Sequence, residues 1–234
     1  MIRVENICSY YGEFQSLHDV SLEVKAGHTV IIVGSNGAGK TTILKSICGL
    51  VHPRSGAVYF EDKRIDQYHA HQLVDLGITM VPEGGRLFPK LTVDDNLKIG
   101  AYNKNARIHF HESLEKVHSL FPILKERAKQ EAGLLSGGER QMVAIARSLM
   151  ACPKLIMLDE PSLGLAPKVV SSVFEFIRRL KESNYSVLLV EQNANKALEV
   201  ADYGYLIESG KLIFEGKKED FDKNPFIKKA YLGL

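Results

Sequence analysis

The 234-residue chain has little cysteine, no long apolar run and almost no charge imbalance, and each shortage excludes a class of protein. Its three cysteines, Cys8, Cys48 and Cys152, are scattered and odd in number. Their spacing suits neither a disulfide framework nor a thiolate metal site, and it predicts reduced, buried thiols. No uninterrupted apolar stretch approaches the roughly 20 residues of a membrane-spanning helix. The first residues, Met1-Ile2-Arg3-Val4-Glu5-Asn6-Ile7, alternate like a strand and carry no signal-peptide apolar region. A net charge of +2 gives no electrostatic footprint for nucleic acid. Lys217, Lys218, Lys223, Lys228 and Lys229 are interleaved with Glu219, Asp220 and Asp222, which reads as a solvated helix face. Repeats and low-complexity linkers are missing too, so any subdivision is by fold. The chain is expected to be soluble and cytoplasmic, and any membrane role requires another chain to supply the membrane.

What the chain does have is Gly34-Ser35-Asn36-Gly37-Ala38-Gly39-Lys40-Thr41, which fits the phosphate-cradling pattern G-x-x-x-x-G-K-[ST]. The apolar run Val30-Ile31-Ile32-Val33 before it reads as a buried parallel strand, and Thr42-Ile43-Leu44-Lys45 continues it as a helix. Glycines at such a junction let successive backbone N–H groups turn toward a polyanion, and the helix adds the positive end of its dipole. Lys40 is placed for the β- and γ-phosphates and the Thr41 hydroxyl for Mg²⁺. A nucleoside triphosphate is the expected ligand.

The remaining pattern alternates strand and helix around a helical stretch. Residues 1–25 read as antiparallel strands turning near Tyr11-Gly12-Glu13, and Ala57 to Glu61 as another strand. Tyr68 to Leu76 reads as a short helix closed by Gly77, followed by the strand Ile78 to Val81. From about Thr92 to Met150 the apolar residues recur at helical spacing, as in Leu114, Val117, Leu120 and Phe121. Strands at 155–158 and 187–190 then flank a helix lined by Val170, Val173, Phe174 and Ile177. A helix over Ala194 to Ala201 and a hairpin across Ser209-Gly210 follow. The expected order is a β-rich start, an α/β core, a helical insertion at about 92–150, and the α/β core again.

Two further stretches carry chemistry. Leu155-Ile156-Met157-Leu158-Asp159-Glu160 puts two acids at the carboxyl end of a buried strand, where open α/β sheets bind ligands. Asp159 is the natural Mg²⁺ partner, and Glu160 the candidate to align or deprotonate the attacking water. Leu135-Ser136-Gly137-Gly138-Glu139 reads as a capping box, Ser136 as N-cap and Glu139 reaching back. Its two glycines also bare a helix N-terminus, a second place able to hold phosphate.

Taken together, the loop at 34–41, the Leu-Ser-Gly-Gly-Glu segment and the acids at 159–160 resemble an ATP-binding cassette ATPase, in that family's order and over essentially the whole chain. The resemblance implies a P-loop NTPase (RecA-like) α/β core, residues 1–91 and 151–234, with an N-terminal antiparallel β subdomain and an inserted helical subdomain. It implies nucleotide contacts from Tyr11, stacking on adenine, and from Gly34, Ser35, Asn36, Gly37, Ala38, Gly39, Lys40, Thr41 and Thr42. It implies a head-to-tail dimer in which Ser136, Gly137, Gly138 and Glu139 close over the partner's ATP.

Within the family, the segments 81–89, 161–167 and 190–194 are similar to those of the second ATPase subunit of branched-chain amino acid importers. Glu83 stands where most relatives have a glutamine, as a possible Mg²⁺ ligand beside Thr41 and Asp159, and Gln192 where most have a histidine. The amide of Gln192 can bond a γ-phosphate but carries no proton charge, so the catalytic weight falls on Glu160. Leu87, Phe88 and Leu91 are expected to face an integral membrane permease, and an extracytoplasmic solute-binding protein to act indirectly. The implied place is the inner face of the cell membrane, held peripherally. Two other readings stay open. One is an importer ATPase for urea or short amides, against which the 162–167 stretch weighs. The other is a cytosolic cassette ATPase with no permease, against which the single cassette and the lack of a basic surface weigh.

Overall fold

Alternating burial along a few apolar strands sets the architecture. The computed structural model describes residues 1–232. In chain order the strands are β1 (Ile2–Tyr11), β2 (Phe14–Val24), β3 (Thr29–Val33), β4 (Ser55–Phe60), β5 (Lys63–Arg64), β6 (Ile78–Val81), β7 (Leu155–Asp159), β8 (Ser186–Glu191), β9 (Tyr203–Glu208) and β10 (Lys211–Gly216). Between them lie α1 (Lys40–Ile47), α2 (Ala70–Leu76), α3 (Val93–Gly100), α4 (Lys104–Ile108), α5 (Phe110–Leu120), α6 (Pro122–Glu126), α7 (Gly137–Leu149), α8 (Pro167–Glu182) and α9 (Ala194–Leu198), and α10 (Lys218–Lys223) follows β10.

The strands form a four-stranded sheet of order β2-β1-β4-β5 and a six-stranded sheet of order β10-β9-β3-β8-β7-β6. The first is antiparallel; in the second, β6, β7, β8, β3 and β9 run parallel and β10 closes the edge antiparallel to β9. Parallel strands covered on both faces have no polar side, so β3 (Thr-Val-Ile-Ile-Val) is buried at every position. Its side chains divide by parity: Ile31 and Val33 enter a core shared with α3, α7 and α8, while Val30 and Ile32 enter a core shared with α1 and the four-stranded sheet. Each fully buried Ile adds about 1.5–3 kcal/mol of burial. Truncating Ile31 or Ile32 to Ala is expected to cost about 2–5 kcal/mol.

Element ends depart from the periodicity reading where side chains intervene. α2 starts at Ala70 rather than Tyr68 because the His69 backbone N–H donates to Gln72 Oε1 at 2.9 Å, fixing His69 as the N-cap. α9 stops at Leu198 rather than Ala201. The chain is drawn onto β3 there, with Asp202 Oδ2 accepting from the Thr29 N–H at 2.8 Å and Oδ1 2.7 Å from Lys181 Nζ. Cys8 and Cys48 are buried, Cys152 is half-buried, and all three are free thiols. α10 exposes Lys218 and Lys223 and buries Phe221. Among the described residues no helix is long and apolar enough to cross a membrane.

Candidate nucleotide site

The carboxyl ends of β3, β7 and β8 lie side by side, with Val33 paired to Glu191 and Asp159 to Val190. Whatever follows those strands therefore converges. After β3 the chain turns through an exposed tip, Ser35, Asn36 and Gly37, and enters α1. Gly39 is the N-cap of that helix at φ 107°, a left-handed conformation, and a Cβ there would come within 2.8 Å of Leu17 Cδ2. Only glycine satisfies both conditions. No side chain caps α1 and its first turn has no acid, so its leading amides have no side-chain acceptor from the helix itself. The negative groups near that end, Asp159 and Glu160, come from the end of β7 and engage the Thr41 and Lys40 side chains.

Lys40 is nearly buried, and its Nζ is fully engaged: it donates to the Gly34 carbonyl at 2.9 Å and the Ser35 carbonyl at 3.0 Å, and it lies 2.9 Å from Glu160 Oε1. Thr41 Oγ1 donates to Asp159 Oδ1 at 2.9 Å. Asp159 is 2% exposed. Burial raises its pKa above the usual carboxylate range, the Thr41 bond opposes this, and the charges of Glu160 and Glu83 raise it further. Glu160 itself sits at φ 45°, uncommon for a residue with a side chain. Its backbone N–H donates to the Val190 carbonyl at 2.9 Å, so the bend is locked to the end of β8.

Thr41, Glu83 and Asp159 line one cavity of about 370 Å³, together with Lys45, Cys48 and Arg86. Burial pushes the Cys48 thiol up to about 11, so it is a wall and not a nucleophile. A larger cavity, about 660 Å³, is bounded by Val30, Asp202, Tyr203 and Tyr205 at the opposite, amino ends of β3 and β9 and contains none of these acids. Tyr11 ends β1, is 44% exposed rather than packed in a core, and stands with Lys45 Nζ 5.8 Å from its ring centroid. Gln192 follows β8 and is exposed. Phe88 and Leu91 are exposed, whereas Leu87 is half-buried against the helical core.

Ser136, Gly137, Gly138 and Glu139 stand elsewhere, at the start of α7. The capping box is present: Ser136 Oγ accepts from the Glu139 N–H at 3.3 Å, and the Ser136 N–H donates to Glu139 Oε2 at 2.8 Å. Among the described residues no hydrogen bond or ion pair joins this group to the Lys40 cluster. The structure thus gathers Lys40, Thr41, Glu83, Asp159 and Glu160, with Tyr11 alongside, and keeps the four signature residues on another element.

One member was missed from sequence. Glu191 is 2% exposed, and its Oε1 accepts from the Ser162 N–H at 3.1 Å. Burial and the nearby Glu160 charge raise its pKa. The signal was available: Glu191 ends an apolar strand as Asp159 does, and the same strand-end argument applies to both.

Thr41 and Asp159 present hard oxygen donors in contact. That suits Mg²⁺, which takes one or two protein oxygens and fills its other positions with water and phosphate. Among the described residues no cluster of three acidic, histidine or cysteine side chains could hold a metal unaided.

A phosphate loop at the end of β3, acids ending β7 and a glycine-led helix inserted between β6 and β7 define an ATP-binding cassette. The ABC transporter family profile matches residues 17–163, and the chain belongs to that family and is an ATPase. It is of the LivF type. Over the full length of both chains it is 44% identical to the high-affinity branched-chain amino acid transport ATP-binding protein BraG of Pseudomonas aeruginosa. Over 100% of this chain and 99% of the other it is 37% identical to the probable branched-chain amino acid transport ATP-binding protein LivF of Archaeoglobus fulgidus. Its fold matches the ADP conformation of MJ1267, an ATP-binding cassette of an ABC transporter, with TM-score 0.84, 31% identity, and coverage of 100% and 99%. It also matches a dimeric, post-hydrolysis structure of the cassette MJ0796 bound to ADP and Pi, with TM-score 0.77, 27% identity, and coverage of 93% and 99%.

Proposed function

We propose that this chain hydrolyses ATP to power import of branched-chain, hydrophobic amino acids through a separate membrane permease, acting at the cytoplasmic face as one half of a head-to-tail ATPase dimer. The observation that carries the solute class is the end-to-end 44% identity to a branched-chain amino acid transport ATPase. The dimer reading draws support from the dimeric MJ0796 structure and from the separation of Ser136–Glu139 from the Lys40 cluster. On this reading residues 92–150 form the helical signature subdomain.

The chemistry follows from the contacts of Lys40. Its ammonium binds two loop carbonyls and Glu160, and β- and γ-phosphates entering the loop offer it a stronger anion. As Lys40 turns to phosphate, the Glu160 carboxylate loses its cation and is free to accept the proton of the attacking water. Thr41, Asp159 and Glu83 would hold Mg²⁺, which neutralises charge on the phosphate oxygens. The loop amides from Gly34 to Thr42 cradle the phosphates, Tyr11 stacks on adenine, and Gln192 donates its amide to the γ-phosphate. Ser136, Gly137, Gly138 and Glu139 close the site of the partner subunit. Closure reaches the permease through the Phe88 and Leu91 face.

Copurification from native membranes tests the reading. A sibling ATPase, two membrane subunits and uptake of leucine, isoleucine or valine that depends on this chain are the expected result. A chain that never sediments with membranes when its neighbours are co-expressed overturns it.

A further inference from the structure

The segment between β6 and α3 is held by α7 and α3 rather than by the sheet it leaves. Arg147, near the end of α7, donates from Nη2 to the Gly85 carbonyl at 2.8 Å and from Nη1 to the Arg86 carbonyl at 3.0 Å. Its guanidinium lies 5.8 Å from the Phe88 ring centroid. The backbone it grips is unusual: Gly84, Gly85 and Arg86 have φ of 70°, 67° and 42°, three left-handed residues in succession. Such a bend persists only where its surroundings over-determine it. Gly85 is pressed so closely on α7 that a Cβ there would come 2.8 Å from the Ala144 Cβ.

The outer half of the segment has its own clamp. Asn96 of α3, fully buried, accepts from the Phe88 N–H at 3.0 Å and donates to the carbonyls of Phe88 at 3.0 Å and Thr92 at 2.9 Å. α3 in turn packs on α7. One rigid helix therefore carries Ser136–Glu139 at its start and, three turns on, the side chain that fixes the bend between Glu83 and Phe88.

We propose that Arg147 is a positioning residue that couples three places: the Phe88 and Leu91 face, Glu83 in the cavity with Thr41 and Asp159, and the signature residues at the head of α7. A load on Phe88 is then delivered through the clamped bend to Glu83 and along α7 to Ser136, instead of being absorbed by the loop. Arg147 does not line the cavity of Thr41, Glu83 and Asp159. The proposal rests on the reading that a membrane subunit docks on the Phe88 face.

The test uses the assembled transporter in lipid nanodiscs beside the isolated chain, with wild type, Arg147→Ala and Arg147→Lys. In Arg147→Ala, ATP affinity and unstimulated turnover are expected to stay within about threefold of wild type, while stimulation by the membrane subunits falls about tenfold or more. Lysine keeps the charge but lacks the planar fork that meets the two carbonyls from separate nitrogens, and it should restore part of the stimulation. Amide exchange at 83–88 should rise in Arg147→Ala, with α7 and β6 protected as before. Full stimulation in Arg147→Ala overturns the proposal. So does a parallel fall of basal turnover, ATP affinity and Tm, which marks a merely structural side chain. If the wild-type chain shows no stimulation by membrane subunits, the docking reading fails and takes the proposal with it, a result visible before any variant is made.

Discussion

Two helices begin at glycines, and their amino ends are finished differently. α1 starts at a left-handed Gly39 with no side-chain cap and no acid in its first turn. α7 starts at Ser136, closed by its own box, with Glu139 tied to Ser136 and its Oε1 3.8 Å from Arg127 Nε. Those Ser136 bonds hold the Glu139 carboxyl below the usual range. The first end leaves its amides for an outside anion; the second is already satisfied from within and folds without one. The contrast teaches an order of events. On the proposed dimer reading, a phosphate has most to gain at α1, and α7 adds its contact only after that site is filled.

Four variants sharpen or break this contrast. Glu160→Gln removes the proposed base and keeps the side chain's shape. Turnover should fall about 10²–10⁴-fold with ATP affinity kept, and size-exclusion chromatography should show an ATP-held dimer. Normal turnover by a monomer would take the proton-accepting role away from Glu160. Lys40→Ala strips the proposed phosphate contact and leaves Glu160 buried without its cation, and calorimetry should register about 100-fold or more loss of ATP affinity. Unchanged affinity would make α1 no more open than α7.

Smaller effects follow at α7 and in the acid pair. Ser136→Ala should cost about 1 kcal/mol through its cap and abolish the ATP-held dimer in the Glu160→Gln background. Monomer affinity for ATP should not change, and a fall there would merge the two ends into one site. Asp159→Asn should abolish hydrolysis yet stabilise the folded chain at pH 7. Burial raises the Asp159 pKa above its ordinary 3.8, so the folded chain retains a proton that the unfolded chain gives up. Stability therefore drops as pH climbs through that window, and an amide is spared the loss. The gain should vanish in melts below about pH 3, under the unfolded pKa, and an equal gain at both pH values would refute the burial argument.

Much of this was readable from residue order, for a physical reason. The strands at 30–33, 78–81, 155–158 and 187–190 are short and apolar on both faces, and Gly34 to Thr41 spells a turn that few other folds need. The capping box of α7 is a local pattern and was found as one. What escaped depends on neighbours outside the element that carries the residue. Asn96 lies in the polar run Asp94-Asp95-Asn96, yet it is buried, its amide donating to the carbonyls of Phe88 and Thr92. Arg147 looks like a surface charge ending an amphipathic helix until the carbonyls of Gly85 and Arg86 are seen above it. The strand-end argument brings Glu160 toward the loop at Lys40, but the direct ion pair between these residues, 120 positions apart, is visible only in the fold.

β3 is a party wall. Because Ile31 and Val33 serve one interior while Val30 and Ile32 serve the other, neither half of the molecule can be repacked without disturbing the shared partition. The phosphate loop hangs from the end of that partition. A lineage in which β3 drifts should therefore show paired changes on both sides of it, in α7 or α8 and in β1 or β2, long before the glycines of the loop begin to vary.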